Sequence, residues 1–276
     1  MTELQPVLER IIASVHRRER KLQVSTLQRA GSSVQANPAD AGKTASLAAA
    51  QRVAATLTAI QGRVGEIGII AEVKKASPSV GAIKADADVL AQAAAYAMAG
   101  ARAVSVLTEP DYFHGCPADF SRVRAGCALP LLRKDFILYA RQIYESHELG
   151  ADIILLIAAL LDNDHLASFM ALAGQLGLLC LVEVHSREEL ERVLPLQPRL
   201  LGINNRDLRT FKTDWRHSLE LRQLVPDDIP VVAESGIDSH AKVRALSAAG
   251  FSAVLVGEYL MRQADPGRAI QELLYG

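Results

Sequence analysis

The chain has 276 residues, half of them hydrophobic, and a formal net charge of −1. This length supports one large core or two small ones, and so small a net charge excludes recruitment of nucleic acid or an anionic membrane by a global field. The sequence has no long apolar run and no basic-then-apolar start, and Cys116, Cys127 and Cys180 do not have the spacing of metal ligands. We therefore expect a cytoplasmic protein with reduced thiols.

The first 66 residues differ in composition from the rest of the chain. Leu4–Leu27 has the spacing of an amphipathic helix rich in Arg and Lys, and Thr44–Arg63 is again helical in pattern. Between them, Ala30–Lys43 is rich in Ser, Gly, Ala and Pro, which indicates a loop, a linker or a flexible tail. We expect residues 1–66 to form a helical extension that packs on the following domain.

From about residue 67 onward, apolar runs alternate with segments of helical spacing. The runs predict eight strands, Ile67–Val73, Ala103–Leu107, Leu129–Leu132, Ile153–Leu156, Leu179–Val184, Leu200–Ile203, Ile229–Ala233 and Ala253–Val256. The segments between them predict helices at Val89–Ala99, Ala140–Leu149, Asp164–Leu176, Arg187–Leu194 and His240–Ala249. Several of these helices end at Ala-Gly or Leu-Gly, which suits a left-handed closing turn.

The strand pattern distinguishes two α/β folds. The strands are apolar throughout rather than alternating, which indicates burial on both faces and therefore a parallel sheet. Eight strand–helix units favour a closed (β/α)8 TIM barrel over residues 67–276. An open doubly wound sheet is the alternative, and the lack of a Gly-x-Gly-x-x-Gly turn after the first strand counts against it.

The first strand carries charge where a core is expected. Side chains alternate along a strand, so Ile70, Glu72 and Lys74 share one face. Buried ions cost several kcal/mol each unless they are paired and hydrogen-bonded. The Ser-Pro-Ser segment at 77–79 then offers hydroxyls and amides to an anion. We interpret this strand end as acid–base groups beside a phosphate site.

Most other strands also end in polar groups, at the end of the barrel where catalytic groups lie. Since Arg133 and Lys134 alternate, one of them faces the outer helices; we expect Lys134 to point inward and Arg133 to be structural. Glu234 could be a structural carboxylate tied to Lys74 or Lys134. His185 could cap a helix, be solvated, or take part in chemistry.

Glycines follow the seventh and eighth strands, the usual phosphate corner of this barrel class. Gly236 and Gly257 would let backbone amides approach an anion, helped by a helix N-terminus. Glu258 has the wrong charge for an anion, so we expect its amide rather than its carboxylate to make the contact.

Seven segments, taken in order, resemble indole-3-glycerol-phosphate synthase. They are Ile-Ala-Glu-Val-Lys-Lys-Ala-Ser-Pro-Ser (70–79), Ser-Val-Leu-Thr-Glu (105–109), Leu-Arg-Lys-Asp-Phe-Ile (132–137), Leu-Val-Glu-Val-His (181–185), Gly-Ile-Asn-Asn-Arg-Asp-Leu (202–208), Ala-Glu-Ser-Gly-Ile (233–237) and Val-Gly-Glu-Tyr-Leu-Met (256–261). The resemblance implies a barrel with extra helices ahead of its first strand. It also implies an enzyme of tryptophan biosynthesis that needs no metal or organic cofactor. Such an enzyme converts 1-(2-carboxyphenylamino)-1-deoxyribulose 5-phosphate to indole-3-glycerol phosphate, CO2 and water.

The resemblance implies catalytic roles for four charged residues. Lys134 would be the general acid that protonates the substrate ketone as the aromatic ring attacks it. Lys74 would bind phosphate and supply acid catalysis to the later dehydration. Glu72 and Glu183 would take up protons or stabilise the cationic intermediate.

Further matched positions imply contacts with the substrate. Asn204 would orient it, and Arg206 would lie near its anthranilate carboxylate. Glu234 and Ser235 would be active-site positions on the seventh strand. The phosphate contacts would be Ser77, Gly236, Gly257 and Glu258. The apolar wall for the aromatic ring would be formed by Phe113, Phe136 and Leu155.

The chain departs from the family pattern in a few places. Val80 stands where the family usually has a lysine after Ser-Pro-Ser, so we expect weaker phosphate affinity. Residues 28–66 match the family only loosely, and the loop Gly115–Pro117 is unusual. Both differences bear on the N-terminal contribution to substrate binding and on loop closure.

Two other functions fit parts of the pattern. A Schiff-base aldolase on the same barrel would need a neutral lysine, which neighbouring carboxylates disfavour. A barrel kept as a scaffold within a tryptophan-pathway complex has no reason to bury charged groups at its strand ends. We expect a phosphorylated small molecule as the substrate, and association or fusion with other tryptophan-pathway enzymes is open.

Overall fold

The computed structural model describes residues 6–29, 42–61, 66–207, 210 and 212–276. Eight parallel strands among them form a closed barrel, in which the first strand pairs with the last. They are β1 Gly68–Val73, β2 Ala103–Leu107, β3 Leu131–Lys134, β4 Ile153–Ile157, β5 Leu179–Val184, β6 Leu201–Asn204, β7 Val231–Glu234 and β8 Ala253–Val256. The (β/α)8 TIM barrel expected from the sequence is therefore confirmed.

Helices precede the barrel and surround it. They are α1 Pro6–Arg29, α2 Gly42–Gln61, α3 Val89–Met98, α4 Pro117–Gly126, α5 Ala140–Glu148, α6 Asn163–Gln175, α7 Arg187–Val193, α8 Arg216–Arg222, α9 His240–Ala248, α10 Glu258–Arg262 and α11 Pro266–Tyr275. The five helices predicted between strands are present to within a residue or two. At four of their ends Gly100, Gly150, Gly177 and Gly250 have φ between 74° and 94°, as the Ala-Gly and Leu-Gly pairs indicated.

Some predicted boundaries were wrong by one or two residues. The third and seventh strands begin at Leu131 and Val231, two residues later than predicted. In each case a proline, Pro130 or Pro230, lies just before the strand, and proline has no N–H to contribute to a strand ladder. Within the predicted linker, residues 30–41 lie outside the described residues, and Gly42 already begins α2.

Four helices, α4, α8, α10 and α11, were not predicted, and α4 and α8 carry few apolar positions. Phe120 and Val123 are the buried apolar residues of α4, and Leu221 is that of α8. Such short polar helices show little periodicity in the sequence, and their place is set by packing on the barrel.

The two N-terminal helices lie at opposite ends of the barrel. Val53 and Ile60 of α2 join the cluster of inward-facing strand residues, and Arg52 is 3.7 Å from Asp152 just before β4, so α2 covers the amino ends of the strands. Helix α1 lies over the carboxyl ends, where Glu19 accepts two hydrogen bonds from Arg141 at 3.0 and 2.8 Å. The barrel is thus closed at the amino ends of its strands and partly covered at their carboxyl ends.

The core has two layers. One fills the space between the strands and the outer helices, and the other fills the interior of the barrel. No helix in the described part of the chain is long and apolar enough to span a bilayer. The inward-facing strand residues and α2 fill the interior toward the amino ends of the strands, so open space is left at the carboxyl ends.

Candidate active site

A cavity of about 450 Å³ opens at the carboxyl ends of the strands. The catalytic, substrate-binding and phosphate-binding residues expected from the sequence all lie on its wall except Glu234. Glu234 instead contacts Lys134, which does lie on the wall. Residues from all the strand ends named above therefore come together in one place. The roles implied for them by resemblance stay predictions at this point.

Lys134 is the centre of the charged part of the cavity. Its Nζ donates to Glu234 Oε2 at 2.7 Å and lies 3.6 Å from Glu72 and 3.9 Å from Glu183. Burial lowers the pKa of the ammonium, but the three carboxylates outweigh burial and raise the pKa of Lys134 above its ordinary value. Lys134 is therefore protonated at neutral pH, which makes it a proton donor rather than a nucleophile.

Arg133 faces the other way, as expected from strand alternation. Its guanidinium donates to Thr108, Ser146, Asp135 and the Gln142 carbonyl, and it pairs with Glu145 of α5 at 2.9 Å. These bonds lock β3 to the helix behind it. The direction of Lys134 into the cavity is fixed as a result.

Glu72 and Lys74 form a second ion pair on the wall. Lys74 Nζ is 2.8 Å from Glu72 Oε1. Burial raises the pKa of Glu72, but Lys74 and Lys134 more than compensate, so the pKa of this carboxyl is lowered and it is ionised. A Cβ at Gly257 would lie 2.2 Å from Glu72 Oε1 and 3.0 Å from Lys74 Nζ. The missing side chain at 257 is therefore what admits the pair.

Glu183 and Glu234 lie side by side and titrate in opposite directions. For Glu234, burial and the nearby Glu183 raise the pKa, against the opposing effect of Lys134. For Glu183, burial raises the pKa, but His185 and Lys134 outweigh it and the pKa is lowered. Neighbouring acids with divergent pKa values are a common feature of acid–base sites.

Gly202 of β6 makes room for Glu234. A Cβ at position 202 would lie 2.4 Å from Glu234 Oε1 and 3.3 Å from Leu181 Cδ1. Any larger residue would push the carboxylate from its place beside Lys134. Sequence reasoning did not single out Gly202, because a strand glycine shows its purpose only when the neighbouring strand is in place.

The expectation that His185 caps a helix or is solvated was wrong. Its side chain is 6% exposed, with Nε2 3.2 Å from Glu183 Oε1 and Nδ1 3.6 Å from Glu189 Oε2. The cap of α7 is Ser186, whose hydroxyl accepts a hydrogen bond from the Glu189 amide. Two carboxylates hold the imidazole away from water.

The phosphate corner expected from the sequence lies across the cavity mouth. Ser235 and Gly236 follow β7 with φ of 68° and 76°. A serine in the left-handed region is strained by about 1 kcal/mol or more, and such strain concentrates at functional sites. Arg206 donates to Ser79 Oγ at 3.0 Å and lies 4.0 Å from the Glu258 carboxylate. These contacts connect the loops around the corner.

The apolar wall is made by the barrel and by α1 together. Phe113 and Phe136 pack with their ring centroids 6.2 Å apart, and Leu155 lies on the same wall. Leu8 and Ile11 of α1 also line the cavity. Sequence reasoning missed these two residues, since an amphipathic pattern predicts that a helix buries one face but not what that face will cover.

A carboxylate outside the cavity fixes the loop that carries Phe113. Glu109 accepts hydrogen bonds from the backbone amides of residues 111, 112 and 113 at 3.1, 2.8 and 3.1 Å. Arg18 of α1 is 3.8 Å from Glu109 and 4.0 Å from Asp135. Because Asp135 also accepts a hydrogen bond from the Phe136 amide at 2.9 Å, helix α1 and both aromatic residues are linked through one small network.

Metal ligands do not account for the charges of the cavity. Across the parts of the chain that the structure describes, no group of three or more His, Cys, Asp or Glu side chains could hold a metal ion. Here the carboxylates have lysines as their partners. The arrangement can donate protons, accept protons and stabilise a cation.

Comparisons with known proteins point to one family. A family model described as "Indole-3-glycerol phosphate synthase" matches residues 16–273. The indole-3-glycerol phosphate synthase of Carboxydothermus hydrogenoformans is 49% identical over 211 residues, which are 76% of this chain and 80% of that protein. The enzyme of the same name from Acetivibrio thermocellus is 49% identical over 208 residues, 75% of this chain and 80% of its own length.

A solved structure supports the fold alone. The thiamine phosphate pyrophosphorylase of Pyrococcus furiosus aligns with a TM-score of 0.57 at 15% sequence identity, covering 76% of this chain and 94% of that one. Similarity of this degree supports the barrel architecture of this chain, and it supports no conclusion about the chemistry of the cavity.

Gly202→Ala tests the space reserved for Glu234. The added Cβ should displace the carboxylate from Lys134 and lower the free energy of unfolding by about 1–3 kcal/mol, since it overpacks a filled barrel interior. Gly174→Ala is the matched control, because nothing lies within 4 Å of its Cβ position on α6. Urea unfolding and a crystal structure of each variant provide the readouts. A Gly202→Ala barrel of parental stability with Glu234 unmoved would contradict this interpretation.

Proposed function

The chain belongs to the indole-3-glycerol phosphate synthase family, and we propose that its cavity carries out the family's reaction with Lys134 as the general acid. The reaction converts 1-(2-carboxyphenylamino)-1-deoxyribulose 5-phosphate to indole-3-glycerol phosphate, CO2 and water, a carboxy-lyase step in tryptophan biosynthesis. One observation carries the assignment to Lys134: its ammonium contacts three carboxylates in the wall of a cavity that also has an apolar side.

Ring closure is the step that needs a strong, correctly placed acid. The ring carbon that bears the carboxylate attacks the substrate ketone, and the ketone oxygen takes a proton from Lys134 to become a hydroxyl. The intermediate is a cation, so Glu183 and Glu72 stabilise charge that develops during the step. An amine about 4 Å from a carboxylate gains about 4 kcal/mol at an effective dielectric near 20. The same contacts that keep Lys134 protonated therefore favour the cation.

The later steps use the second ion pair. Loss of CO2 breaks the bond to the ring carbon, and its electron pair neutralises the cation. The new hydroxyl then leaves as water with a proton from Lys74, and the five-membered ring sheds a C–H proton to Glu72 or Glu183. Lys74 suits this role because it lies 2.8 Å from Glu72, which can return the proton that Lys74 gives away.

Substrate orientation is proposed to come from groups on opposite sides of the cavity. The phosphate would bind at Ser77, Lys74 and the backbone of Gly236, Gly257 and Glu258, while Phe113, Phe136 and Leu155 receive the aromatic ring. Asn204 and Ser235 would orient the reacting part, and Arg206 would contact the anthranilate carboxylate from the rim. Glu234 acts through Lys134, which it contacts at 2.7 Å.

We also propose that residues 1–66 and the barrel, 67–276, act as one catalytic unit. Leu8 and Ile11 of α1 supply part of the cavity wall, which supports a role for this extension in binding. The proposed location is the cytoplasm, and the proposed partner is the phosphorylated substrate. Association or fusion with other enzymes of the tryptophan pathway is a further proposal, which stands on the sequence resemblance.

Replacement of Lys134 tests the proposed acid. Lys134→Met should lower kcat at least 100-fold with a small change in KM, because a positioned general acid contributes about 10²–10⁴-fold. The fluorescence of the indole product, formed from the carboxyphenylamino substrate, measures the rate. Lys21→Met, at an exposed position of α1, is the control and should keep the parental rate.

Two results would refute this proposal. One is a Lys134→Met enzyme that retains more than a tenth of the parental kcat. The other is a covalent adduct at Lys134 after borohydride treatment with a carbonyl substrate, which would favour the Schiff-base aldolase.

Val80→Lys tests the departure from the family pattern. Val80 is 43% exposed beside the proposed phosphate corner, where a lysine would add one positive charge. An exposed charge contributes about 0.2–1 kcal/mol, so KM should fall by about 1.5- to 5-fold at low salt and less at high salt. Val80→Gln supplies length without charge and should leave KM unchanged. Equal KM values for the Lys and Gln variants would show that position 80 does not face the phosphate.

A further inference from the structure

The imidazole of His185 lies between two carboxylates and is not used by the reaction as proposed. Its Nε2 is 3.2 Å from Glu183 Oε1, and its Nδ1 is 3.6 Å from Glu189 Oε2. Neither ring nitrogen makes a hydrogen bond of good geometry, so both contacts are ion pairs in character. With the side chain 6% exposed, water does not replace either carboxylate.

Glu189 is itself held firmly. Its carboxylate accepts a hydrogen bond from the His185 amide at 2.7 Å, and its amide donates to Ser186 Oγ at 3.2 Å. These two bonds fix the first turn of α7. On the other side, Nε2 of His217 of α8 is 3.0 Å from the His185 carbonyl. The imidazole is thus placed by β5 and α7, and α8 holds the backbone of His185.

Glu183 has one oxygen on each side of this arrangement. Oε1 faces His185, while Oε2 has no hydrogen-bond partner and lies 3.9 Å from Lys134 Nζ on the cavity side. An unpartnered buried carboxylate oxygen is costly unless a ligand or a transient charge meets it. Oε2 is itself enclosed and is turned toward Lys134, and Oε1 serves as the anchor.

His185 is the cation nearest to Glu183 within this cluster. Lys74 pairs with Glu72 at 2.8 Å, and Lys134 makes its closest contact with Glu234 at 2.7 Å and lies 3.9 Å from Glu183. The His185 ring is closer to Glu183, at 3.2 Å. Without an imidazolium there, burial would favour the neutral, protonated form of Glu183.

We propose that His185, held by Glu189, is a positioning residue: a fixed imidazolium that keeps Glu183 ionised and directs its Oε2 toward Lys134. The inference rests on the proposed function, since it assigns a purpose to the anionic form of Glu183. His185 does not touch the substrate and acts only through Glu183.

The titration of the two groups agrees with this geometry. Burial lowers the pKa of His185, but Glu183 and Glu189 outweigh it and raise the pKa to about 10. The pKa of Glu183 is lowered for the reciprocal reason. Since the folded pKa of His185 is raised, the stabilisation by this pair is complete below about pH 6.5 and is lost as the pH rises through about 10. The pair is therefore ionised across the neutral range.

His185→Asn removes the charge and keeps a polar side chain. Without the imidazolium the pKa of Glu183 should rise. The acid limb of the profile of kcat against pH should therefore move to higher pH by at least one pH unit. On that limb, at pH values below both pKa values, kcat should be about 10-fold below that of the parent for each unit of the shift, with KM within about twofold, and the loss should shrink as the pH rises. A residue needed only for packing would instead lower kcat equally at every pH.

His217→Asn is the matched control. It removes a neighbouring imidazole that contacts the backbone of His185 but neither carboxylate, so its kcat profile should follow that of the parent. Glu189→Gln removes one of the two carboxylates and leaves the imidazole in place. In this variant His185 should lose its proton at a lower pH than in the parent.

A measurement on the parental protein covers the case in which His185→Asn fails to fold. The 15N chemical shifts of the His185 ring, recorded between pH 6 and 10, should show an imidazolium at pH 7.5 and above. A neutral ring at pH 7, or a His185→Asn profile parallel to that of the parent, would overturn the inference and leave the proposed function intact. Absence of indole product from the parental enzyme would overturn the proposed function, and the ring titration would still test the imidazolium.

Discussion

The contact of one ammonium with three enclosed carboxylates is the interaction on which the rest of this cavity depends. Lys134 joins Glu234, Glu72 and Glu183, which come from β7, β1 and β5. Each acid is at most 4% exposed, so none could hold its charge there without a cation nearby. Removal of one partner from such a group typically costs about 3–5 kcal/mol, because it leaves an uncompensated charge. Stability and the protonation state of the acid are therefore set by the same contacts.

The closed barrel makes this interaction possible. Parallel strands bring their carboxyl ends to one edge, so residues distant in the chain lie within 4 Å of each other. Two glycines complete the arrangement. A side chain at 202 would collide with Glu234, and one at 257 would collide with Glu72. The charged cluster thus depends on positions that carry no charge and have no side chain.

Alternation along the strands was enough to predict which charged side chains point into the cavity. Because neighbouring residues of a strand face opposite sides, Lys134 could be assigned to the inside of the barrel and Arg133 to the outside. The polar residues at the strand ends identified Glu72, Glu183 and Asn204. Three features could not be predicted. Leu8 and Ile11 line the cavity only because α1 folds back over the barrel, a contact across more than 100 residues of chain. The enclosure of His185 and the space at Gly202 depend on the packing of neighbouring elements, which a local pattern does not describe.

The protonation state of Lys134 can be measured directly. In protein labelled with 13C at lysine Cε, with Lys134→Met to assign the signal, the chemical shift of Lys134 reports whether its amine is charged. The ammonium of Lys134 should stay protonated past the ordinary lysine range, about pH 10.4, until the fold itself is lost. A Lys134 amine that loses its proton near or below pH 8 would mean that the three acids do not hold it charged, and the mechanism built on it would be wrong.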